Sequence, residues 1–391
     1  MKDEEVILYM DLFLSAQKAQ MQGSIEAAEF FAAQAVAMAP KLPAAHQLLG
    51  AIKLGKGDWK AAVPAMHGSY LLRRGPRAAF TKDTERRRTP AFITLPKLMH
   101  DLEQIEYLMA KGVRLKITQS KLRSLKRLVQ ESIADGLKGG SISVSLATRQ
   151  IIKEFYGKAI HLYLPEPIKG GALNPKLRFR DIEKTYLGNG RGVVYFDDFL
   201  KPQALEQVRA FCLESTFWHN VKLDGYLMAT LYDGFSCGLL HQIAAELQEK
   251  LPKIYGDNSL SMAWSVKCDS KMPGTPLHAD EASVNSNFWI TPDSARLSAK
   301  GGGIIVWPCK PPQSWSFRDY NSVEPKPEKK RLEMLGKSKV SPIYVPYRQN
   351  RMVIFDSKFL HKTDKFQFKE GYENRRMNVT LLHSENIGRV E

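Results

Sequence analysis

The sequence predicts a chain of two unlike halves, an α-helical front and a β-rich back that closes a sandwich or barrel. Three observations carry this. Up to about residue 138, apolar and small residues recur every three or four positions. From about residue 190, short apolar runs alternate with Gly/Pro turns. At 391 residues the chain is also too long for one simple core.

The first 75 residues read as helices with short turns. An offset of 34 residues sets Gly23 over Gly57, Ala27 over Ala61, Ala28 over Ala62 and Ala35 over Ser69. Small residues at a fixed period belong where two helices touch closely. The pattern resembles the tetratricopeptide repeat (TPR), with Leu49-Gly50 at its Leu-Gly position and Pro40 at its terminal proline. The first copy departs from it, with Ser15-Ala16 in place of Leu-Gly; an ordinary pair of helical hairpins is the plainer alternative. The resemblance implies TPR-like helical repeats over 1–76.

A further helical region is expected over 77–164. Leu95, Met99, Leu102, Ile105 and Leu108 form one apolar stripe, and Lys121 to Ile133 repeats it. These helices are expected to finish and cap the array. Gly139-Gly140 and the stretch Pro165 to Pro175, which contains Gly170-Gly171, read as loop, so 165–188 is expected to be a linker. The β-rich domain then takes 189–391. It opens on a strand, Gly192 to Phe196, and a helix from about Gln203 to Glu214, with Pro202 suited to the helix start. Strands follow at Ser261 to Val266, Val284 to Ile290, Gly303 to Trp307, Ile343 to Val345, Arg351 to Phe355 and Met377 to Leu382.

Charge and cysteine usage bound the function. The net charge of +16 favours polyanions, acidic proteins or anionic small molecules as partners. Arg73, Arg74, Arg77, Lys82, Arg86, Arg87 and Arg88 crowd one stretch. Lys111, Arg114, Lys116, Lys121, Arg123, Lys126 and Arg127 crowd another. A polyanionic partner would therefore meet the helical half. No run of 18 apolar residues occurs, so no membrane span is expected. The acidic start Met1 to Glu5 lacks a signal-peptide pattern, and Cys212, Cys237, Cys268 and Cys309 are scattered without a CxxC pair. A cytoplasmic location is expected, without a disulfide framework or zinc knuckle.

The chemistry concentrates in the back half. In an extended strand, residues two apart share a face, so His278 and Asp280 of Thr275-Pro276-Leu277-His278-Ala279-Asp280 can reach one metal together. The segment Arg351 to His361 is a strand leading through a turn to a second histidine, His361. Two histidines and one carboxylate on one face of an octahedral Fe(II) leave three positions open. A third segment, Asn374 to Leu382, alternates. If Met377, Val379 and Leu381 pack on the outer side, Arg376, Asn378 and Thr380 face inward. A buried arginine needs an anionic partner, and its guanidinium grips a carboxylate bidentately.

In order and content these segments resemble the Fe(II)/2-oxoglutarate-dependent oxygenases, particularly their prolyl-hydroxylase-like branch. The matching residues are His278 and Asp280, the turn Gly301-Gly302-Gly303 before Ile304 to Pro308, His361 and Arg376, with Val193 to Leu200 as the opening strand. The resemblance covers roughly 190–385 and implies a double-stranded β-helix (jelly-roll, cupin-like) oxygenase domain. It implies Fe(II), 2-oxoglutarate as co-substrate and O2, with release of succinate and CO2. His278, Asp280 and His361 would be the metal ligands and catalytic centre. Arg376 would hold 2-oxoglutarate with help from Asn378 and Thr380; Arg375 would replace it if the register slipped by one.

Two departures and one distinguishing agreement stand out. Cys268 occupies the place of a tyrosine that often helps to bind 2-oxoglutarate, so Tyr226 and Tyr232 are candidates to replace it. Phe366 to Glu373 lengthens the gap between His361 and Arg376. Asp280 is present, whereas halogenating relatives lack this carboxylate. Asn285, Asn287 and Trp289 alternate on the strand after the first ligands, so Asn287 and Trp289 are candidate substrate contacts. Trp307-Pro308 reads as rim or core, and His383 as a surface residue near the strand end.

The expected enzyme is a dioxygenase of the hydroxylase type, acting on a peptide or protein side chain or on a small molecule. The helical half would then serve as a peptide-binding module or as a homodimer surface. Two alternatives remain. Arg376-x-Asn378-x-Thr380 resembles the last strand of AlkB-type nucleic-acid dealkylases, although Leu382 stands where those carry a second arginine. A non-catalytic TPR-type binding module is the other.

Overall fold

The computed structural model describes residues 3–75, 92–135, 141–188, 192–222 and 226–385. Arg77, Lys82, Arg86, Arg87, Arg88 and the pair Gly139-Gly140 lie outside them.

Four helices open the fold: α1 (Asp3–Met21), α2 (Ile25–Met38), α3 (Pro43–Gly55) and α4 (Trp59–Arg74). Consecutive helices pack on one another, and the aligned small residues Ala28, Ala35, Ala62 and Ser69 are buried. Side chains this small let two helix axes approach closely. Helix α4 is anchored to the β-rich half. Tyr70 donates its hydroxyl to the Thr216 carbonyl (3.2 Å) and meets His219 Nε2 (2.9 Å). Arg73 and Arg74 both pair with Asp233, at 3.0 and 2.7 Å. Beside Asp233, Gly234 has φ +105°, and a Cβ there would lie 2.6 Å from the Tyr70 ring. Only glycine permits that approach.

The next unit differs from the expected cap of a repeat array. A two-stranded antiparallel ladder, β1 (Phe92–Thr94) with β2 (Ser141–Ser143), accompanies α5 (Leu95–Ala110), α6 (Gln119–Ala134) and α7 (Leu146–Ile152). Ile93, Leu98, Ile105, Leu122, Leu125 and Ile142 form a core of its own. The unit docks on the β-rich half, where Gln104 donates to the carbonyls of Leu213 (3.1 Å) and Ser215 (3.0 Å). Its periodic stripe is real; the stripe does not say what covers it. In the second basic stretch, Lys121 pairs with Glu154 and Lys126 with Glu106, so part of that charge is balanced locally.

Residues 165–188 are not a free linker. Ile168, Ala172, Leu173 and Ile182 enter the main core, and α8 (Phe179–Gly188) fills the end of the segment. The Glu246 carboxylate accepts from the Ala172 and Leu173 amides (2.9 and 3.0 Å). Gly and Pro there shape a docked loop; such composition marks irregular backbone, not exposure.

The back half contains β3 (Val193–Phe196), α9 (Pro202–Glu214), β4 (Asn220–Lys222), β5 (Tyr226–Thr230), α10 (Gly238–Lys250), α11 (Pro252–Tyr255), β6 (Asn258–Cys268), β7 (Lys271–Met272) and β8 (Val284–Trp289). It continues through β9 (Ile304–Trp307), α12 (Phe317–Asn321), α13 (Pro325–Ser338), β10 (Ile343–Val345), β11 (Met352–Asp356), β12 (Leu360–Thr363), β13 (Phe366–Gln367) and β14 (Met377–Glu385). Seven strands form an antiparallel sheet in the order β3-β11-β8-β14-β6-β5-β4. A second, smaller sheet has the order β10-β9-β12. The expected insertion Phe366 to Glu373 carries β13, which pairs with β7.

Strand period 2 sorts the large sheet into two faces. On β11, Met352 and Ile354 join the main core with the helices, while Val353 and Phe355 join the core between the sheets. On β14, Met377, Val379 and Leu381 face the helical side. His383, expected at the surface, is fully buried against Tyr255, with ring centroids 4.7 Å apart. Strand β14 runs on under α11 beyond the end its hydrophobic pattern suggested.

Candidate metal centre and its cavity

The residues of the predicted triad meet at one end of a cavity between the two sheets. His278 does not lie on a regular strand. It forms an isolated bridge with His361, in which the His278 amide donates to the His361 carbonyl (2.9 Å) and the His361 amide to the His278 carbonyl (2.7 Å). The Asp280 amide donates to the Ser357 carbonyl (3.0 Å). Backbone pairing thus brings together segments about eighty residues apart. One ligating atom from each of His278, Asp280 and His361 lies within 4.8 Å of the others. His278 Nε2 is 3.9 Å from Asp280 Oδ1, and His361 Nε2 is 3.5 Å from Asp280 Oδ2.

Both histidines are oriented in the same way. Nδ1 of His278 faces the Pro276 carbonyl at 2.8 Å, and Nδ1 of His361 faces the Phe359 carbonyl at 2.9 Å. A carbonyl only accepts, so each Nδ1 carries the proton and each Nε2 turns a lone pair to the shared point. Burial pushes His278 down to about 4, and the neighbouring His361 adds to the effect. Burial raises the Asp280 carboxyl, but hydrogen bonding and charge from His361, with help from His278 and Asn321, outweigh it and leave the group below the usual range. A neutral His278 beside an ionised Asp280 is the protonation state that divalent metal requires.

Asp280 is clamped from outside. Asn285 donates to its Oδ2 (2.9 Å), and Asn321, from α12, reaches Oδ1 at 3.4 Å. Asn285 shares its face of the strand with the cavity-lining Asn287 and Trp289, as the alternation implied, but its own partner is the Asp280 carboxylate. Asn321 had no signal in the sequence, because it sits in a helical insertion whose placement is purely tertiary.

Further along the same cavity wall, Arg376 is buried. Its Nε donates to the Gly302 carbonyl (2.8 Å) and its Nη1 to Asn378 Oδ1 (3.0 Å). Gly302, at φ +79°, holds a left-handed turn that presents this carbonyl. The guanidinium lies 5.1 Å from the Phe366 ring centre. Among the described residues, no carboxylate stands within salt-bridge distance of it. Burial lowers its basicity, but guanidinium keeps its charge inside proteins. Arg375 points away and is already engaged, with Glu103 at 2.9 Å and with Asp269.

Asn378, Thr380, Asn287 and Trp289 also line the cavity, which measures about 490 Å³. Tyr226 lines it at the Cys268 end, whereas Tyr232 packs against the main core. Burial raises the Cys268 thiol to about 11, so it stays protonated. Trp307 packs with Leu277, Ala279 and Leu360. Strand register divides the cavity wall. Thr230, Trp264, Thr380 and Asn287 form one row across β5, β6, β14 and β8; Met228, Val266, Asn378 and Trp289 form the next. The wall is polar on β14 and β8 and mostly apolar on β5 and β6.

Among the described residues, no helix is long and apolar enough to cross a membrane. Neither a protein-family model nor a curated protein matches the chain. It is similar to solved structures at low identity. One is the non-heme alpha ketoglutarate dependent carbocyclase SnoK from nogalamycin biosynthesis, at 12% identity over 55% of this chain and 87% of that one, with a TM-score of 0.40. Another is a Pseudomonas putida prolyl-4-hydroxylase, at 10% identity over 53% of this chain and 98% of that one, with a TM-score of 0.33. A third is Streptomyces hygroscopicus HygX with nickel and 2-oxoglutarate bound, at 11% identity over 52% of this chain and 86% of that one, with a TM-score of 0.34.

Proposed function

We propose that this protein is an Fe(II)- and 2-oxoglutarate-dependent oxygenase that oxidises a C–H bond of a substrate with an apolar reacting portion. One observation carries the reading: a single cavity holds a metal-competent His278/Asp280/His361 cluster and, on the same wall, the buried cation Arg376, with no carboxylate at salt-bridge distance among the described residues. A metal alone does not account for Arg376, and an anion alone does not account for the cluster. A chelating oxo acid with a second, distal carboxylate answers both. An unpaired buried charge costs several kcal/mol, so the arginine is stable there only with such a partner.

His278, Asp280 and His361 would hold the iron on one side and leave the other open. When bound, the iron with 2-oxoglutarate and O2 supplies the oxidation, in which the co-substrate becomes succinate and CO2 and the second oxygen atom reaches the substrate. The protein's part is to position and to shield. Arg376, fixed by Gly302 and Asn378, would take the distal carboxylate, with Thr380 beside it. Met228, Met262, Trp264 and Val266 on the β5–β6 side would seat the substrate, either an apolar small molecule or a hydrophobic peptide side chain. The small residues buried at the 34-residue offset support the repeat-like reading of α1–α4.

The test is an anaerobic titration of the purified protein with Fe(II) and 2-oxoglutarate, followed by visible absorption. A weak charge-transfer band is expected in the wild type, lost in His278→Ala and weakened in Arg376→Met. Iron binding without a band would refute the co-substrate assignment. Absence of specific iron binding would refute the oxygenase reading.

A further inference from the structure

Between Arg376 and Asp280 runs an unbroken line of hydrogen bonds. Arg376 Nη1 donates to Asn378 Oδ1 (3.0 Å), and Asn378 Nδ2 to Asn287 Oδ1 (2.9 Å). Asn287 Nδ2 donates to Asn285 Oδ1 (3.1 Å), and Asn285 Nδ2 to Asp280 Oδ2 (2.9 Å). The three amides come from the neighbouring strands β14 and β8, and all are buried. Thr380 Oγ1 also donates to Asn287 Oδ1 (3.1 Å), so that oxygen is held from two sides.

The chemistry of the ends gives the line one direction. A guanidinium can only donate and an ionised carboxylate can only accept. Asn378 must therefore turn its oxygen to Arg376, which leaves its nitrogen for Asn287. The same constraint passes to Asn287 and then to Asn285. One reversed amide would set donor against donor on one side and acceptor against acceptor on the other. In a buried site each such clash leaves polar groups unsatisfied, and aligned bonds polarise one another, so the line is stable only when complete.

We propose that Asn378, Asn287 and Asn285 form a one-way amide relay that positions the metal ligand Asp280 from the anion-holding end of the cavity, with Asn287 as its central positioning residue. The proposal rests on the metal-and-anion reading above. The relay pins Asp280 Oδ2, leaving Oδ1 turned to His278. Because each amide's orientation depends on its neighbour, a break at Arg376's end is felt at Asp280, across all three amides.

Co(II) is a suitable probe, because its visible spectrum reports ligand geometry and needs neither 2-oxoglutarate nor turnover. The wild type, Asn285→Leu, Asn287→Leu and Asn378→Leu are titrated with Co(II) alone, with His278→Ala for reference. Each relay variant is expected to bind Co(II) roughly tenfold to a hundredfold more weakly, as for loss of a group that orients a metal ligand. The Co(II) bands should shift in all three, although Asn378 touches no metal ligand. Joining N285L to N378L should cost no more than N285L alone. The relay is overturned if N378L matches the wild type in affinity and bands while N285L does not, since support of Asp280 is then local. Asn378→Ala gives the same comparison if the leucine variant fails to fold. Failure of the metal centre itself looks different: His278→Ala would then match the wild type, and both readings fall together.

Discussion

The two faces of the large sheet each bury a cation, and they treat it differently. On the helical face, Lys267 Nζ donates to the Cys212 carbonyl (3.1 Å) and the Tyr372 hydroxyl (2.8 Å), between the rings of Trp218 and Tyr372 at 4.3 Å each. Burial pushes its basicity well down, so this group can shed its charge. On the cavity face, Arg376 has a carbonyl, an amide oxygen and ring faces, but no anion among the described residues. Arginine cannot escape by deprotonation. A cation that its own protein satisfies is part of the scaffold. One that stays charged without a counter-ion among the described residues is what the proposed co-substrate role of Arg376 rests on.

The comparison breaks most decisively at the metal cluster. Alanine at His278, Asp280 or His361 is expected to abolish specific metal binding and all turnover, as is chelation of the wild type, with restoration by Fe(II) alone. Metal analysis of the variants checks this, and full retention of metal would remove the cavity face's functional status. Next in size is Arg376→Met. It should cost about 3 kcal/mol or more of co-substrate binding, roughly a hundredfold or more in KM for 2-oxoglutarate. Its unfolding free energy without ligand should change little, because removal of the unpaired buried charge offsets the hydrogen bonds lost to Gly302 and Asn378. A large loss of stability with unchanged KM would instead make Arg376 a scaffold residue like Lys267.

The opposite pattern is expected for Lys267→Met. Denaturant unfolding should show a loss of about 1–3 kcal/mol, from the hydrogen bonds left unmade, with KM for 2-oxoglutarate unaltered. The smallest effect is in pH. Burial depresses His241 and His383, both placed in the main helical half of the sheet's surroundings, to about 3 from 6.5. Between those values the unfolded chain binds protons that the folded one does not. Their contribution to stability is therefore complete above pH 6.5 and is lost as pH falls toward 3. His383→Phe should flatten the acid limb of the metal-free protein's unfolding midpoint, and an unchanged limb would locate the acid sensitivity elsewhere.

Much of the site could be read in the chain because strand period is local. Arg376, Asn378 and Thr380 share a face for the same reason that Met377, Val379 and Leu381 share the other. The spacing of His278 and Asp280 was equally informative, although the segment is an isolated bridge and not a strand. What failed were inferences about surroundings. The Gly- and Pro-rich stretch 165–188 resembles a linker until Glu246 is seen to hold its amides. His383 looked terminal until α11 was seen to cover it.

By itself, the sequence determined which side chains lie on a common face and which chemical groups each segment offers. Tertiary structure alone decided what stands opposite them. Glu103, distant in sequence, engages Arg375, while Arg376 lines the cavity. The clamp of Asn285 and Asn321 on Asp280, and the amide line to Arg376, likewise join separate segments. Periodicity follows from backbone geometry within a few residues, whereas a partner for a buried polar group is set by how distant segments pack.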